Sequence, residues 1–214
     1  MSKEAATKSP QRARDRAATE ARIVAAVGTV LARDGFGAIG VNAIAGEAGI
    51  DKVLIYRYFG GLPELLHTWG ASGHFWPSID ELIGDDPRAV MALPVADRFA
   101  YFFDRFIDAL RARPMTVEIL AAEIVERNEL TAILETQREQ WGAQAEVVFG
   151  GEHYRRSPHL HGITILLVAG VQYLLVRART IRVFGGLDLR SDADWSMLKA
   201  SLRAMAQQIF VAKE

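Results

Sequence analysis

The sequence contains no cysteine among its 214 residues. The protein therefore has no disulfide framework, no thiolate nucleophile and no cysteine-ligated metal, as is compatible with a reducing cytoplasm. Glycine and proline, at 18 and 7 residues, occur at ordinary levels. With 50% apolar and 24% charged residues, the composition indicates a globular chain that has enough apolar surface for a core.

The sequence also lacks a long, continuous apolar run. Its N-terminal residues do not contain the apolar stretch of a secretion signal. The most apolar run, residues 163–176, covers about 14 residues and is shorter than the roughly 20 needed to cross a bilayer. We therefore expect a cytoplasmic protein with no membrane partner.

Long alternations of apolar and polar residues are absent as well, so we expect little or no sheet and an all-α fold. The net charge is only −1, but residues 1–60 carry more basic than acidic side chains and the remainder carries more acidic ones. A basic N-terminal part followed by an acidic body suits a small nucleic-acid-binding module joined to a neutral partner domain.

The apolar periodicity predicts a series of helices. Residues 1–15 are polar and basic, and we interpret them as a flexible arm. A first helix is expected from Arg16 to Asp34, and two short helices at Val41–Ala48 and Asp51–Phe59. From Leu62 onward the pattern predicts longer helices, at Ala96–Arg111, Val117–Val125, Leu130–Phe149, Ile163–Phe184 and Trp195–Phe210.

This change near residue 60 predicts three parts: a flexible basic arm at residues 1–15, a small three-helix domain at residues 16–61, and a larger helical domain at residues 62–214.

The segment 44–55 has the pattern of two helices that cross through a tight turn. Ala45 is small where the second helix crosses the first, and Gly49 can adopt the positive φ that such a turn requires. Asp51 is a suitable N-cap for the second helix. An ordinary helical hairpin is the alternative, but the aliphatic residues at Ile44, Ile50 and Ile55 favour a DNA-binding helix-turn-helix.

Residues 35–66, GFGAIGVNAIAGEAGIDKVLIYRYFGGLPELL, resemble the N-terminal domain of the TetR family of transcriptional regulators. The resemblance implies an N-terminal helix-turn-helix domain followed by a larger helical domain for ligand binding and dimerisation. It further implies a homodimer that binds a double-stranded DNA operator. The expected function is that of a repressor, which releases the operator when a small, largely apolar effector binds.

The resemblance also implies which residues meet DNA. The recognition helix would be Asp51–Tyr58, with Ile55 and Phe59 directed inward. The residues expected at the major groove or its phosphates are Asn42, Lys52, Val53, Leu54, Tyr56 and Arg57, with Tyr58 at the DNA backbone.

Three positions depart from the family pattern: Gly40 replaces a capping threonine, Val53-Leu54 replaces Gly-Thr, and Leu62 replaces a lysine. These changes remove donors to phosphate, which basic residues of the arm, Arg12, Arg14 and Arg16, could replace. Val53 and Leu54 can instead pack against thymine methyl groups.

The bulky residues of the later helices are candidates for a ligand cavity. The first choice is Trp69, Phe75, Phe103, Phe106, Trp141 and Tyr173, and further candidates are Trp76, Phe99 and Met115. Glu123, His161 and Gln172 are polar residues that could orient a ligand. The alternative is that these aromatic residues form an ordinary core.

The apolar helix around Ile163–Val176 needs burial on several sides. Gly162, Ala169 and Gly170 would allow another helix to approach it closely. Together with Trp195–Phe210, it is expected to form a four-helix dimer interface, as the resemblance suggests. A central core helix within one chain is the alternative.

The sequence offers little that is typical of an enzyme. His153, His159 and His161 lie near Glu152, but the two-residue spacing of the last two histidines would place them on different faces of a helix. The pair Glu123 and Glu126 lacks the histidines of a di-iron bundle, and no glycine loop has the lysine of a phosphate site. We therefore expect no metal, no cofactor and no catalysis. The alternative that remains is a helical small-molecule-binding protein that has kept the fold but lost specific DNA binding.

Overall fold

The computed structural model describes residues 10–72, 75–125, 127–152 and 158–211. Helices make up most of these residues, and the strands among them form one short two-stranded hairpin. The all-α fold expected from the sequence is therefore confirmed. The chain divides into two compact units, and the division lies between Ser72 and Gly73.

From residue 10 onward, the N-terminal unit contains four α-helices and one short 3₁₀ turn. These are α1 (Pro10–Asp34), the 3₁₀ turn (Phe36–Ala38), α2 (Val41–Ala48), α3 (Val53–Phe59) and α4 (Leu62–Ala71). Helix α1 begins six residues before the expected start at Arg16, because proline is well tolerated in a first turn and the following Gln, Arg and Ala residues favour helix. The part of the expected arm from residue 10 to residue 15 is thus helical, and residues 1–9 lie outside the described chain.

The core of this unit lies between α1 and the helices packed on it. The predicted apolar stripe of α1 is confirmed, since Ile23, Val27, Val30 and Leu31 are fully buried. Helices α2 and α4 both pack against α1, and α3 packs against α4. Helix α4 therefore belongs to the N-terminal unit, whereas the sequence placed the boundary before it, at residues 61 and 62.

The turn between α2 and α3 depends on Gly49. Its backbone has φ 62° and ψ 42°, in the left-handed region where a side chain costs about 1–2 kcal/mol. The Ile50 N–H donates to the Ala45 carbonyl at 3.0 Å, which closes α2 in the manner of a Schellman motif. The positive φ expected at this glycine is confirmed.

The C-terminal unit contains seven α-helices, one π-helical segment and the hairpin within its described residues. They are α5 (Ile79–Ile83), α6 (Pro87–Ala92), α7 (Val95–Arg111), α8 (Pro114–Val125), α9 (Glu129–Ala145), the π segment (Glu146–Gly150), α10 (Pro158–Ala178), β1 (Val183–Phe184), β2 (Leu187–Asp188) and α11 (Asp192–Val211).

Helix α7 lies at the centre of this unit. Helices α5, α8, α10 and α11 and the π segment all pack against it. Its phenylalanine side chains are buried, and Phe103 and Phe106 are fully inaccessible to solvent. The ring of Phe102 stacks on that of Phe106 at 5.4 Å between centroids, so the centre of the core is largely aromatic.

Helix α11 runs antiparallel to α7 along a ladder of polar contacts. Arg111 pairs with Asp192 at 2.6 Å, Asp108 pairs with Lys199, and Asp104 pairs with Arg203 at 2.5 Å. The residue numbers of the partners decrease along α7 as they increase along α11, so the two helices are antiparallel. Such exposed pairs add little stability, but they disfavour the reversed orientation.

Two predicted helices end earlier than expected. Helix α10 stops at Ala178 instead of continuing to Phe184, because Val183 and Phe184 pair with Leu187 and Asp188 in a hairpin. Gly185 and Gly186, both with positive φ, form the turn of this hairpin. Helix α9 stops at Ala145, and the π segment continues the chain to Gly150.

The apolar helix α10 is only partly covered within one chain. By length and composition alone, the segment His159–Ala178 could cross a membrane, and 22% of its most apolar window is buried within the chain. Such a test is also passed by core helices of soluble proteins. The side chains of Ile165, Leu166 and Tyr173 are exposed, so much of this helix remains available to a partner.

We expect Gly49→Ala to destabilise the N-terminal unit by about 1 kcal/mol, because the new Cβ is strained in the left-handed region. Gly46→Ala is the matched control. Gly46 lies inside α2 with open space around its Cα, so alanine there should be neutral or stabilise by up to about 1 kcal/mol. Hydrogen exchange of the α2 and α3 amides measures both changes, and equal protection in the two variants would contradict the assigned turn.

Candidate nucleic-acid interface and clefts

Helix α3 presents one solvent-exposed face and one buried side. Lys52, which precedes its first turn, and Val53, Tyr56 and Arg57 are exposed, and their spacing of one and four residues places them on a common face. Ile55 is fully buried and fixes the opposite side to the core. The exposed face combines two cations, a phenol and an aliphatic side chain, which suits contact with phosphates and base edges.

The first turn of α3 is capped by Asp51. Its Oδ1 accepts a hydrogen bond from the Val53 N–H at 2.8 Å, which satisfies an amide that the helix leaves free. Lys52 directly precedes α3 but already has helical φ and ψ and makes no side-chain cap, so the capping contact comes from Asp51, as the sequence predicts. The helix ends at Gly60, whose φ of 93° stops it after seven residues.

Tyr58 is half-buried and held by α1. The guanidinium of Arg16 lies 5.0 Å from the centroid of the Tyr58 ring, in cation–π geometry. Arg16 also pairs with Glu20 at 2.7 Å. Arg16, expected at the start of the first helix and named as a possible phosphate contact, therefore also supports the end of α3.

A second arginine of α1 connects this helix to α2. Arg33 pairs with Glu47 at 2.6 Å and with its neighbour Asp34 at 2.7 Å. The hydrogen bond from Arg33 holds the pKa of the Asp34 carboxyl below its usual range. Because all three groups are exposed, the pairs orient α2 more than they stabilise it.

The remaining positions expected at DNA differ in exposure. Asn42 is exposed on α2, whereas Leu54 and Phe59 are half-buried. Gly40 caps α2 without a side-chain hydrogen bond, as expected from the missing threonine. Arg14 is exposed on α1, and the side chain of Arg12 lies outside the described part of the chain.

The C-terminal unit contains two neighbouring clefts, each with a volume of about 560 Å³. The first, here the Glu123 cleft, lies between α8, α9 and α10. The second, here the Trp141 cleft, lies between α9, the π segment, α10, Trp76 and Phe102. Arg138, Ala169 and Gln172 line both clefts, so these residues lie at their boundary.

The Trp141 cleft has an aromatic wall. Trp76 stacks on Trp141 at 5.5 Å between ring centroids, and Phe106 stacks on the same indole at 5.6 Å. Trp141 donates its indole N–H to the Pro77 carbonyl at 2.7 Å. The indole N–H of Trp76, in contrast, is buried and has no hydrogen-bond partner among the described residues.

The Glu123 cleft contains a carboxylate that is only partly satisfied. Glu123 pairs through Oε2 with Arg138, and its side chain is 10% exposed. The other oxygen, Oε1, is buried without a hydrogen-bond partner in the described structure. Burial raises the pKa of the Glu123 carboxyl, while the charge of Arg138 opposes that change.

The six aromatic ligand candidates occupy three kinds of position. Trp141 and Tyr173 line the clefts. Phe75, Phe103 and Phe106 are fully buried in the core of the C-terminal unit. Trp69 lies in α4, in the core of the N-terminal unit, because α4 packs with α1 and α3.

Of the polar candidates, Glu123, Gln172 and His161 all line a cleft. The sequence did not indicate Phe102, Arg138 or Phe149, which also line them. Phe102 shares its helical face with the fully buried Phe106, so periodicity alone cannot separate the two. Arg138 lies in a mixed polar stretch that has no distinguishing pattern.

The histidines have no metal-like arrangement among the described residues. His161 Nδ1 pairs with Glu146 at 2.7 Å, and His159 is exposed one residue after the start of α10. No group of three or more candidate ligands is placed to hold a metal within the described chain. His153 and Glu126, named from the sequence, lie outside it.

We expect Asp51→Ala to weaken the protection of α3 by about 1 kcal/mol, because the Val53 amide loses its acceptor. Asp51→Asn is the control, since asparagine caps as well as aspartate. Hydrogen exchange of peptides that cover α3 distinguishes the two variants. If asparagine lowered protection as much as alanine, charge and not capping would be the cause.

Comparison with known proteins agrees with this architecture. Residues 23–67 match the family described as bacterial regulatory proteins of the tetR family, a span that covers α1 from Ile23 to His67 in α4. This match includes the turn at Gly49 and all of α3. No curated protein matches the sequence.

Solved structures resemble the chain over nearly its full length. A fatty acid degradation regulator, FadR, from Bacillus halodurans is 16% identical, with a TM-score of 0.60 and coverage of 94% of this chain and 96% of that one. A TetR-like transcriptional regulator from Rhodococcus sp. RHA1 is 18% identical, with a TM-score of 0.59 and coverage of 92% and 98%. A putative fatty acid metabolism regulator of Clostridium perfringens is 14% identical, with a TM-score of 0.55 and coverage of 86% and 97%. The family match over the helix-turn-helix unit and the shared fold of the whole chain support a DNA-binding regulator of the TetR type.

Proposed function

We propose that the protein is a homodimeric repressor that releases its operator when a small, largely apolar effector binds the C-terminal unit. The observation that carries the proposal is the exposed face of α3, with Lys52, Tyr56 and Arg57 on a helix anchored by Ile55. The protein acts in the cytoplasm, where such an operator is accessible.

In the proposed complex, the two cations of α3 contact the DNA backbone or the acceptors of guanine in the major groove. Tyr56 adds a hydroxyl that can reach a phosphate. Val53 is 60% exposed, which is costly for an aliphatic side chain in water and supports its placement against a thymine methyl group. Asn42, Leu54 and Tyr58 are assigned to the edge of the same surface.

The dimer interface is assigned to α10 and α11. Leu166 is 74% exposed in a helix whose composition is otherwise that of a core, and Ala169 and Gly170 leave room for close packing. Met197 and Met205 continue the apolar surface on α11. Two copies joined in this way would present two recognition helices one DNA turn apart, at ~34–36 Å.

The clefts of the C-terminal unit support the effector part of the proposal. Their linings combine aromatic and aliphatic side chains with a few polar groups, which is typical of small-molecule sites. Two of the similar structures are named as regulators of fatty acid degradation or metabolism, which is consistent with a largely apolar effector. To move the dimer from 1:99 to 99:1 between its states, the effector needs ~5.5 kcal/mol of differential affinity.

A second candidate function is a small-molecule-binding protein of the same fold without specific DNA binding. The observation that favours it is the loss of donors at Gly40, Val53-Leu54 and Leu62, since α2 has no side-chain cap. The two candidates differ in one measurement: only the repressor selects a palindromic sequence from random duplex DNA at physiological salt.

We expect Arg57→Ala to weaken binding to the selected operator by about 1–3 kcal/mol, because a charged contact in the groove or to a phosphate is lost. Tyr56→Phe removes only a hydroxyl and should cost about 1 kcal/mol. Fluorescence anisotropy at several salt concentrations measures both changes and the salt slope.

Arg88→Ala is the matched control, because Arg88 is an equally charged, exposed residue on α6 of the C-terminal unit. Its operator affinity should equal that of the unmodified protein. Unchanged affinity in Arg57→Ala, with a normal circular dichroism spectrum, would place the DNA surface elsewhere.

We expect Leu166→Glu to convert the dimer to monomer, because the interface would bury an unpaired carboxylate. Val147→Glu is the control, since Val147 is similarly exposed, at 75% against 74%, but lies in the π segment. Analytical ultracentrifugation at micromolar concentration should show monomer for the first variant and dimer for the second. A dimeric Leu166→Glu protein would exclude α10 from the interface.

A further inference from the structure

Two buried polar atoms line the neighbouring clefts without a hydrogen-bond partner among the described residues. One is the donor Nε1 of Trp76, and the other is the acceptor Oε1 of Glu123. Leaving such a group unpaired costs about 1–3 kcal/mol, so proteins rarely keep one unless something else satisfies it. Both atoms belong to side chains that line a cleft able to hold a small molecule.

The two atoms are linked through one helix. Trp76 stacks on Trp141, and Glu123 pairs with Arg138, which lies three residues earlier on α9. Because Arg138, Ala169 and Gln172 line both clefts, a single molecule with two or three rings can extend from one cleft into the other.

The lining of each cleft indicates the chemistry that would fit. Beside Trp76, the rings of Trp141, Phe102 and Phe149 line the cleft, which favours a planar aromatic group carrying a hydrogen-bond acceptor. Around Glu123 the carboxylates and guanidiniums balance, because Glu123 and Glu135 face Arg127 and Arg138. A balanced set of charges does not favour a cation, so a neutral N–H or O–H donor suits the free oxygen of Glu123.

We infer that the effector is a planar, multi-ring neutral molecule with an acceptor at the Trp76 end and a donor at the Glu123 end. This inference rests on the proposed function, because it names the ligand of the proposed effector site. It differs from a fatty acyl effector. The flexible chain of a fatty acid cannot stack on aromatic rings, and its carboxylate would be repelled by the negative charge of Glu123.

Three flavones test this inference as probes. The carbonyl of 4′-aminoflavone is the acceptor for Trp76, and its neutral aryl amine is the donor for Glu123. In 4′-methoxyflavone the donor is replaced by an acceptor, and unsubstituted flavone has neither group. Isothermal titration calorimetry with the full-length protein should give the tightest binding for 4′-aminoflavone, by about three- to tenfold over the other two.

Two variants make the test specific. Trp76→Phe keeps an aromatic ring but removes the N–H, so all three flavones should bind about three- to tenfold more weakly. In Glu123→Gln the amide oxygen turns to Arg138, which leaves an NH₂ group where Oε1 was. The preference should then reverse, and 4′-methoxyflavone should bind more tightly than 4′-aminoflavone.

The outcomes separate this inference from the proposed function. Failure of all three flavones to bind, or equal binding by the two variants and the unmodified protein, overturns the inferred ligand class. Release of the operator by palmitate but not by the flavones also overturns it, while leaving the repressor intact. Flavone binding with the expected reversal, in a protein that selects no operator, would retain the ligand class and exclude the repressor.

Discussion

The C-terminal unit is organised by the need to cover the aromatic face of α7. Full burial of a phenylalanine side chain is worth roughly 1.5–3 kcal/mol, and α7 carries Phe103 and Phe106 in that state. No single helix can cover such a broad face, so α5, α8, α10, α11 and the π segment surround it. Phe106 also stacks on Trp141, so the aromatic core continues into the lining of the Trp141 cleft.

In the N-terminal unit the main constraint is different: helix α3 is too short to be stable alone and must be held by its neighbours. Seven residues are far below the length at which an isolated helix persists in water. Burial of Ile55, the cap from Asp51 and the Arg16 guanidinium over Tyr58 together hold α3. The side chains on the outer face of α3 are therefore not needed for packing and are available to contact a binding partner.

Local rules predicted much of this structure. The bounds of α2 were predicted without error, and α7 was predicted within one residue, because apolar periodicity, a glycine stop and a capping aspartate act within a few residues. The end of α10 was missed because Ile181, Val183 and Phe184 continue an apolar pattern across the turn made by two glycines. The clefts could not be predicted in the same way. Whether Phe102 or Phe103 faces a cleft depends on which helix packs opposite it, and that choice is tertiary.

Helix α10 supplies residues both to the clefts and to the exposed apolar surface, and Ile165, Ala169 and Tyr173 belong to both. In the proposed dimer, a bound effector and a second subunit would therefore compete for, or share, the same side chains. Thermodynamic linkage makes this coupling reciprocal: whatever the effector does to self-association, self-association does to effector affinity. The intracellular abundance of the regulator would then act as a second input, and the same effector concentration would produce different responses in cells that make few or many copies.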